Sequence, residues 1–363
     1  MRVLFLLCPL LLGFGSFAQP IDSYLSLVLG DAMREAQVPG AACAVITSDS
    51  ITYGVMGVVT VGSEISIEPQ SYFHIGSCTK SVTGYIAALA VKDSSIRWDT
   101  KFFDLFPALR TSARDEYSDI TLADLLSHQA WLQAFTSEKA FKKLPEYADD
   151  DLDARLKFAK VALSLKPVKL KESYEYSNAG YVLAALMIEK ATGKTWEDHV
   201  SAYFQEQGWN YRLGYLSYTD ESQPSGHYRK KEKVRRIAKE QNFDVPPFFA
   251  PAGDISMRVV DYAAYLQQHL VGLQQGDQYF TKEEYRNLHY RNEAYALGWG
   301  HGTTQKGTVE LSTHTGSAGA FLAMMIVVPD KDLAILVVTN TGDDKVSEAA
   351  VKSVRNRLLR ERF

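Results

Sequence analysis

Ser77 and Lys80 stand three residues apart in a stretch, Phe73 to Lys80, that passes from extended chain through a glycine into a helix. No other serine in the sequence has a lysine three positions after it. Residues i and i+3 share a helix face, so a neutral Lys80 amine can accept the proton of the Ser77 hydroxyl. The helix start disfavours a protonated lysine and offers backbone amides to an oxyanion. The spacing indicates acyl transfer; the alternative is a helix-capping serine beside a surface lysine.

A tyrosine and an asparagine stand just before another predicted helix. Tyr176-Ser177-Asn178 precedes helical periodicity that starts near Tyr181, which places both polar side chains on a loop entering a helical region. The same pattern occurs at 285–287 and 290–292, but there it lies in a polar stretch without the Ala-Gly-Tyr that follows Asn178. We therefore predict that those two copies are surface features.

A third segment of interest is His314-Thr315-Gly316-Ser317. It follows one candidate strand and precedes another. Its glycine lets the backbone of a substrate approach closely, so we predict that this segment lines a binding site.

Apolar spacing predicts a sheet from the two ends of the chain and helices between them. The amino-terminal part shows a helix at 21–33 and a hairpin of strands 41–47 and 51–59, joined by a turn at 48–50. Three more strands and a closing helix are predicted at 308–312, 321–328, 333–339 and 346–359. Helical periodicity fills the middle of the chain, at 82–91, 122–126, 152–165, 181–191, 196–204 and 259–270.

These elements predict an α/β (α+β) fold with one antiparallel sheet flanked by the terminal helices. Residues 21–75 and 245–363 would form the sheet-containing lobe, residues 76–244 an inserted, mostly helical lobe, and the active site would lie between them. Two charged runs, seven basic residues at 229–239 and four acidic residues at 148–153, are interpreted as solvated faces.

Composition restricts the class of function. A chain of 363 residues, 46% hydrophobic and 23% charged, is long enough for a sizeable core and a cleft. Lys and Arg number 39 against 43 Asp and Glu, so the chain lacks the positive excess of a nucleic-acid-binding protein. The histidines show no paired ligand spacing such as HExxH, so neither a metal nor another cofactor is predicted. The expected partner is a small-molecule or peptide substrate.

Residues 1–18 have the pattern of a cleaved signal peptide. A positive start at Arg2 is followed by an apolar run, and 16–18 ends in small residues at the positions that signal peptidase recognises. About ten apolar residues are half of what a membrane-spanning helix needs. We expect cleavage after Ala18, a periplasmic or secreted protein, and no later membrane span. Cys43 and Cys78 would remain, as one disulfide or, as we favour, two free thiols.

Taken in order, Ser77-x-x-Lys80, Tyr176-x-Asn178 and His314-Thr315-Gly316 make the sequence resemble the penicillin-recognising serine hydrolases. This family includes class C β-lactamases, D-alanyl-D-alanine carboxypeptidases, esterases and D-aminopeptidases. Further segments resemble the family's recurring non-catalytic stretches, at 125–128, 251–254, 295–299 and the turn at Pro329. The resemblance covers nearly all of the chain after the signal peptide, and it implies a β-lactamase/transpeptidase-like fold.

The resemblance also implies roles for the motif residues. Ser77 would attack a carbonyl and form an ester that water then releases, while Lys80 and Tyr176 would share the proton transfers, the tyrosine with a pKa lowered by positive charge. Asn178 would hold the amide of the substrate and stabilise Lys80. The backbone amides of Ser77 and Ser317 would form the oxyanion hole.

Within the third motif, Thr315 would line the side that binds a carboxylate. His314 stands where class C β-lactamases usually carry lysine, which favours the carboxypeptidase or esterase branch. If His314 must be cationic, activity on carboxylate-bearing substrates should fall between about pH 6 and 8.

The sequence departs from the family pattern at two places. Asp254 stands where relatives often have a second glycine, and 129–131 reads Gln-Ala-Trp where they commonly have Thr-Ser-Gly. Both changes are predicted to reshape the rim of the cleft, and Trp131 is interpreted as a core residue rather than a subsite residue. Two alternatives remain to a carboxypeptidase or esterase: a β-lactamase, and a binding protein that keeps the pocket without catalysis.

Overall fold

The computed structural model describes residues 21–136, 151–168, 174–231, 233–241, 245–303, 309–342 and 344–362. The predicted signal peptide and residues 148–150 of the acidic run lie outside these ranges. The α-helices are α1 Ser23–Glu35, α2 Thr79–Lys92, α3 Phe102–Leu105, α4 Leu122–Leu126, α5 Asp151–Ser164, α6 Asn178–Thr192, α7 Trp196–Gln207, α8 Ala250–Gly253, α9 Val259–Gln275, α10 Lys282–Tyr290 and α11 Lys345–Arg360. Short 3₁₀ turns include Gly76–Cys78.

Eleven strands are present in the described part of the chain: β1 Gly40–Ile46, β2 Ile51–Gly57, β3 Tyr72–His74, β4 Tyr211–Leu213, β5 His227–Lys230, β6 Lys233–Arg236, β7 Ile255–Arg258, β8 Gly300–Thr303, β9 Glu310–Ser317, β10 Leu322–Val328 and β11 Leu333–Thr339. Six of them form one antiparallel sheet in the order β2-β1-β11-β10-β9-β8. The predicted fold class and the predicted β1–β2 hairpin are confirmed.

The central strands of this sheet are apolar along their whole length because both faces are covered. Every residue of β1, β10 and β11 is buried. Alternate side chains of β1 divide between two cores: Ala41, Cys43 and Val45 pack with α1 and α11, whereas Ala42, Ala44 and Ile46 face the larger core. Helix α9 covers the sheet on that second side. The period of two along each strand therefore builds a three-layered arrangement.

Helices in the middle of the chain begin where the sequence supplies caps. Thr121, Thr195 and Thr281 each form a capping box at the start of α4, α7 and α10, in which the threonine and the acidic residue three positions later bond to each other's backbone amides. Helices α6 and α7 both end at glycines in the left-handed conformation. These signals explain where these helices begin and end.

Several short elements lie where no regular structure was predicted. Strands β3, β7 and β4 form a second, three-stranded sheet, and β5 and β6 form a hairpin that carries most of the exposed basic run. Strand β4 lies inside 76–244, the part predicted to be mostly helical, and pairs with β7 from the other predicted lobe. The division into two lobes stays a prediction.

Two further findings bear on the sequence expectations. Cys43 and Cys78 are buried free thiols, one in each core, so the sheet lies between them. The interpretation of 285–287 as a surface feature is wrong at Tyr285, which is buried in α10 and donates a hydrogen bond to Asp277. Among the described residues, none of the helices is long and apolar enough to cross a membrane.

Candidate active site

Ser77 lies in the 3₁₀ turn Gly76–Cys78, immediately before α2, as the sequence predicted. Its side chain is partly exposed, whereas the residues on either side of it are buried. Gly76 has a φ of +51°, a conformation that glycine adopts readily, and this bends the chain from β3 into the helix. The hydroxyl is thus presented to solvent by a turn that is itself fixed in the core.

Lys80 follows on the first turn of α2 and is completely buried. Its Nζ atom lies 3.3 Å from Ser77 Oγ, 2.6 Å from Asn178 Oδ1 and 2.6 Å from the carbonyl oxygen of Ala252. Burial lowers the pKa of Lys80 well below its usual value, because the buried ammonium would lose its hydration. The motif pair Ser77 and Lys80 is therefore in direct contact, and the interpretation of Lys80 as a surface charge is wrong.

Asn178 is held on both sides. Its Nδ2 donates to the carbonyl of Phe135 at 2.9 Å, and its backbone amide donates to the carbonyl of Ala134. These bonds direct Oδ1 towards Lys80. The predicted contact of Asn178 with Lys80 is present, and it depends on the backbone of a loop that no motif indicates.

Tyr176 borders the same place. Lys80 Nζ lies 4.8 Å from the centre of the Tyr176 ring, and the phenol is near enough to the Ser77 side chain for the two to interact. Burial nevertheless raises the pKa of Tyr176 above its ordinary value, and the interaction with Ser77 offsets this only in part. The expectation of a lowered pKa is wrong, since Lys80 is itself driven towards the neutral form and supplies no fixed charge.

Strand β9 carries the third motif and packs directly on the serine turn. A side chain at Gly316 would place its Cβ 2.0 Å from the carbonyl oxygen of Ile75 and 2.8 Å from the amide nitrogen of Ser77. A Cβ at Gly76 would lie 2.7 Å from the amide nitrogen of Ser317. The Ser77 and Ser317 amides are thus brought together by two glycines that leave no room for a side chain.

The motif itself does not follow the strand, as the sequence suggested, but lies within it. His314, Thr315 and Gly316 pair with successive residues of β10. Alternation along the strand buries His314 and Gly316 and exposes Thr315 and Ser317. The exposed side chains of Thr315 and Ser317 are therefore the ones available to a ligand.

His314 is neutral in the folded protein. Its Nδ1 bonds to the carbonyl of Thr315 at 2.9 Å and therefore carries the proton, while Nε2 lies 2.8 Å from the Tyr295 hydroxyl and accepts from it. Burial lowers the pKa of His314 to about 3. The cationic form of His314 is therefore absent between pH 6 and 8. The predicted decline of activity in that range depended on this form.

The two departures from the family pattern lie in different surroundings. Trp131 is only partly buried and has a φ of +55°, so it adopts the backbone conformation expected of the glycine it replaces. The interpretation as a core tryptophan is wrong to that extent. Asp254 lies at the start of β7 and is 6% exposed, so it does not shape the rim as predicted; it contacts His74.

His128 is a site residue for which the sequence assigned no role. Its Nδ1 accepts a bond from the Ser177 amide, and its ring contacts Tyr176 and Tyr295, each with 4.4 Å between ring centres. Burial lowers its pKa well below 6.5. His128 thus helps to fix the Tyr176 loop, and its position next to Ser127 in a family-like stretch was the available signal.

No group of three or more His, Cys, Asp or Glu side chains suited to a metal ion occurs in the described ranges. The chemistry available at this place is that of a serine hydroxyl, a buried amine and a phenol, with backbone amides opposite. Such a constellation in such a fold defines the β-lactamase and penicillin-binding class of proteins.

Comparisons with known proteins agree with that class. A family model described as Beta-lactamase matches residues 26–357, and the chain belongs to this family. Penicillin-binding protein 4 of Amycolatopsis lactamdurans is 24% identical over 86% of this chain and 84% of its own length. An unguisins hydrolase of Aspergillus campestris is also 24% identical, over 89% of this chain and 62% of its own length.

Shorter and structural matches extend the comparison. Teichoic acid D-alanine hydrolase of Staphylococcus aureus is 28% identical over a match that covers 45% of this chain and 36% of the length of that relative. The structure of the octameric penicillin-binding protein homologue from Pyrococcus abyssi superimposes with a TM-score of 0.75, covering 92% of this chain and 77% of that one at 20% identity. The class C β-lactamase from Rhodobacter sphaeroides gives a TM-score of 0.71, with 93% and 100% covered at 16% identity. These structures support the fold.

Proposed function

We propose that this protein is an exported serine hydrolase that acts through an acyl-enzyme on Ser77, of the D-alanyl carboxypeptidase or esterase type. The observation that carries the proposal is the set of contacts around Lys80 Nζ: two obligate acceptors, Asn178 Oδ1 and the Ala252 carbonyl, and one hydroxyl, Ser77 Oγ. Export is supported by the signal-peptide pattern of residues 1–18.

The contacts of Lys80 Nζ suit a neutral amine as the base, and the lowered pKa of Lys80 favours this form over an ammonium that would donate to all three oxygens. A neutral amine has two N–H groups and one lone pair. Asn178 Oδ1 and the Ala252 carbonyl can only accept, so they take the two N–H groups, and the lone pair is left for the Ser77 hydroxyl proton. The lowered pKa of Lys80 agrees with this assignment. Lys80 is thus the proposed base, and Tyr176 is a neutral neighbour of the hydroxyl.

The proposed reaction has two steps. Ser77 Oγ attacks the substrate carbonyl carbon as its proton passes to Lys80, and the negative charge on the carbonyl oxygen is met by the Ser77 and Ser317 amides. Collapse breaks the bond to the leaving group, which takes the proton from Lys80. Water then attacks the ester carbonyl as its proton passes to the same amine. The bond between the acyl carbon and Ser77 Oγ breaks, Oγ takes that proton from Lys80, and the acid is released.

His314 bears on the substrate class. In this chain both ring nitrogens of His314 are engaged, one by Thr315 and one by Tyr295, and the ring carries no charge near neutral pH. A carboxylate on the substrate would find no fixed cation there. This favours substrates whose binding does not require a carboxylate next to the scissile bond, such as D-alanyl esters. The relative named teichoic acid D-alanine hydrolase is compatible with this choice.

Probe labelling tests the acyl-enzyme. The full-length protein is incubated with a fluorophosphonate and, separately, with a fluorescent penicillin, and the adduct is located by mass spectrometry. We expect an adduct on Ser77 that is lost in Ser77→Ala and strongly reduced in Lys80→Met. Ser81→Ala, one helical turn further on, is the matched control and should label like the wild type. A folded wild type that forms no adduct would instead favour the non-catalytic binding protein.

Parallel turnover assays then separate the substrate classes. A D-alanyl ester, a D-Ala-D-Ala peptide and nitrocefin are compared at equal enzyme concentration. The proposal expects the ester to have the largest kcat/KM and nitrocefin the smallest. Nitrocefin turnover above that of the ester would identify a β-lactamase and contradict the specificity argued from His314.

A further inference from the structure

A second buried pair of side chains lies directly behind the serine turn. His74 is the last residue of β3 and Asp254 stands just before β7, the strand that pairs with β3. The His74 side chain is 0% exposed and the Asp254 side chain 9%, and His74 Nε2 lies 3.2 Å from Asp254 Oδ1. Neither residue touches Lys80 or the Ser77 hydroxyl, so the reaction described above does not use them.

The hydrogen bonds of His74 fix its protonation state. The Gly76 amide donates to His74 Nδ1 at 3.1 Å, so Nδ1 carries no proton. Nε2 must then carry the proton and donate it to the Asp254 carboxylate. Asp254 thus selects the one form of the imidazole that can accept from Gly76.

Gly76 is the residue whose conformation matters for the two amides. It has a φ of +51° and lies so close to strand β9 that a Cβ there would be 2.7 Å from the Ser317 amide nitrogen. A rotation of the Ile75–Gly76 peptide, which carries the Gly76 N–H, would be passed through the Gly76 Cα to the next peptide and would therefore move the Ser77 amide relative to that of Ser317. The bond from Gly76 to His74 opposes this rotation.

The other side of the amide pair is held by the same layer of side chains. The ring of Tyr215 lies 5.0 Å from the ring of His74, and its hydroxyl donates to the carbonyl of Ala318, next to Ser317. Phe321 stacks on Tyr215 at 5.5 Å. His74 and Tyr215 together connect the two backbone segments that would bind an oxyanion.

We propose that His74 and Asp254 form a buried positioning pair, in which Asp254 orients His74 and His74 holds the Gly76 peptide so that the Ser77 and Ser317 amides converge on the oxyanion. This inference rests on the proposed function of those amides. It also accounts for the aspartate that replaces the second glycine of the family pattern: Asp254 is the partner of His74 and not a residue of the cleft rim.

The decisive variant is His74→Phe, which keeps the ring and removes the acceptor for Gly76. We expect kcat for a D-alanyl ester to fall about 10- to 100-fold, with KM changed less than about threefold, because the loss affects the transition state. Affinity for a boronic acid, which forms a tetrahedral adduct on serine, should fall by the same factor. His74→Asn, which can still accept from the Gly76 amide, should recover most of kcat.

Asp254 is tested by the same logic. Asp254→Leu should reproduce the loss of kcat, and Asp254→Asn, whose side-chain oxygen can accept from His74 Nε2, should stay within about fivefold of the wild type. His269→Phe is the matched control, since His269 is fully buried and bonds to His289 elsewhere in the core. It should lower Tm without lowering kcat, which separates loss of packing from loss of positioning.

Hydrogen exchange gives a readout that does not depend on turnover. In His74→Phe, the peptide covering residues 72–79 should show one additional fast-exchanging amide, and in His74→Asn it should not. Unchanged exchange together with unchanged kcat would overturn the positioning pair. A wild type without ester turnover or Ser77 labelling, in which the exchange difference is still found, would refute the proposed function and leave the pair itself supported.

Discussion

Replacing Gly316 by alanine is the most direct perturbation of the site geometry. The new Cβ would lie 2.0 Å from the carbonyl oxygen of Ile75, 2.7 Å from the Cys78 amide nitrogen and 2.8 Å from that of Ser77. All three are backbone atoms, which cannot swing aside as a side chain can. Real Cβ atoms lie at least 3.0 Å from such neighbours, so strand β9 and the serine turn would have to separate by about 1 Å to bring the Cβ of residue 316 that far from the Ile75 carbonyl oxygen.

That separation sets the size of the expected effect. A misplacement of about 1 Å in a catalytic site costs about 100-fold in rate, or about 2.7 kcal/mol of transition-state stabilisation. Overpacking of this kind lowers the free energy of unfolding by about 1–3 kcal/mol, so most of the protein stays folded. We expect kcat for the ester to fall about 100-fold in Gly316→Ala while Tm falls by only a few degrees.

The control is Gly302→Ala in the neighbouring strand β8. There the nearest atom to a new Cβ is Leu311 Cδ1 at 3.5 Å, an ordinary contact, so activity and Tm should be unchanged. Turnover is measured on protein whose circular dichroism matches that of the wild type. A Gly316→Ala enzyme with kcat within threefold of the wild type would refute the claim that close packing of β9 on the turn positions the reacting groups.

Three further predictions concern charge. The ratio of kcat/KM for His314→Gln to that for the wild type should be constant from pH 6 to 8, since burial holds the pKa of His314 near 3. A step in that ratio near pH 6.5 would show instead that His314 titrates in this range. Burial also lowers the pKa of His269 to about 3, below its unfolded value, so the stability it contributes is present above about pH 6.5 and lost on acidification. The free energy of unfolding should therefore fall by about 2 kcal/mol between pH 7 and 5 because of His269, which urea unfolding can measure. This part of the pH dependence should be absent in His269→Phe. Arg155→Met should lower the free energy of unfolding by about 3–5 kcal/mol, because it leaves the Glu189 carboxylate buried without its ion-pair partner. The double variant Arg155→Met/Glu189→Leu should recover much of this loss. Equal stability of the single and double variants would contradict the assigned role of the ion pair.

The sheet was the most predictable part of the fold. Strands β10 and β11 were placed within a residue of their observed bounds because both of their faces are buried, which gives uninterrupted apolar runs ended by the turn at Pro329. Strands β3, β4 and β7 have three or four residues each, too few to show a period, and they were not predicted. Helix α10, which is mostly polar on its exposed side, has only nine residues and was likewise not predicted.

The site was predictable where side-chain types carry the contact. Ser77, Lys80, Tyr176 and Asn178 converge as their motifs indicated. The carbonyl of Ala252 contacts Lys80 just as closely, but a backbone oxygen leaves no mark in a sequence. Protonation states were not predictable either, since they follow from burial that only the folded chain defines.

Cys78 is the residue next to Ser77, yet its surroundings make its thiol unreactive. Burial raises the pKa of its thiol to about 12, so only about one molecule in 100,000 carries the reactive thiolate at pH 7. Cys43, with a pKa of about 12 as well, lies on the far side of the sheet. The folded chain therefore keeps a sulfur beside Ser77 that is shielded from oxidation and from thiol–disulfide exchange for as long as the sheet stays intact.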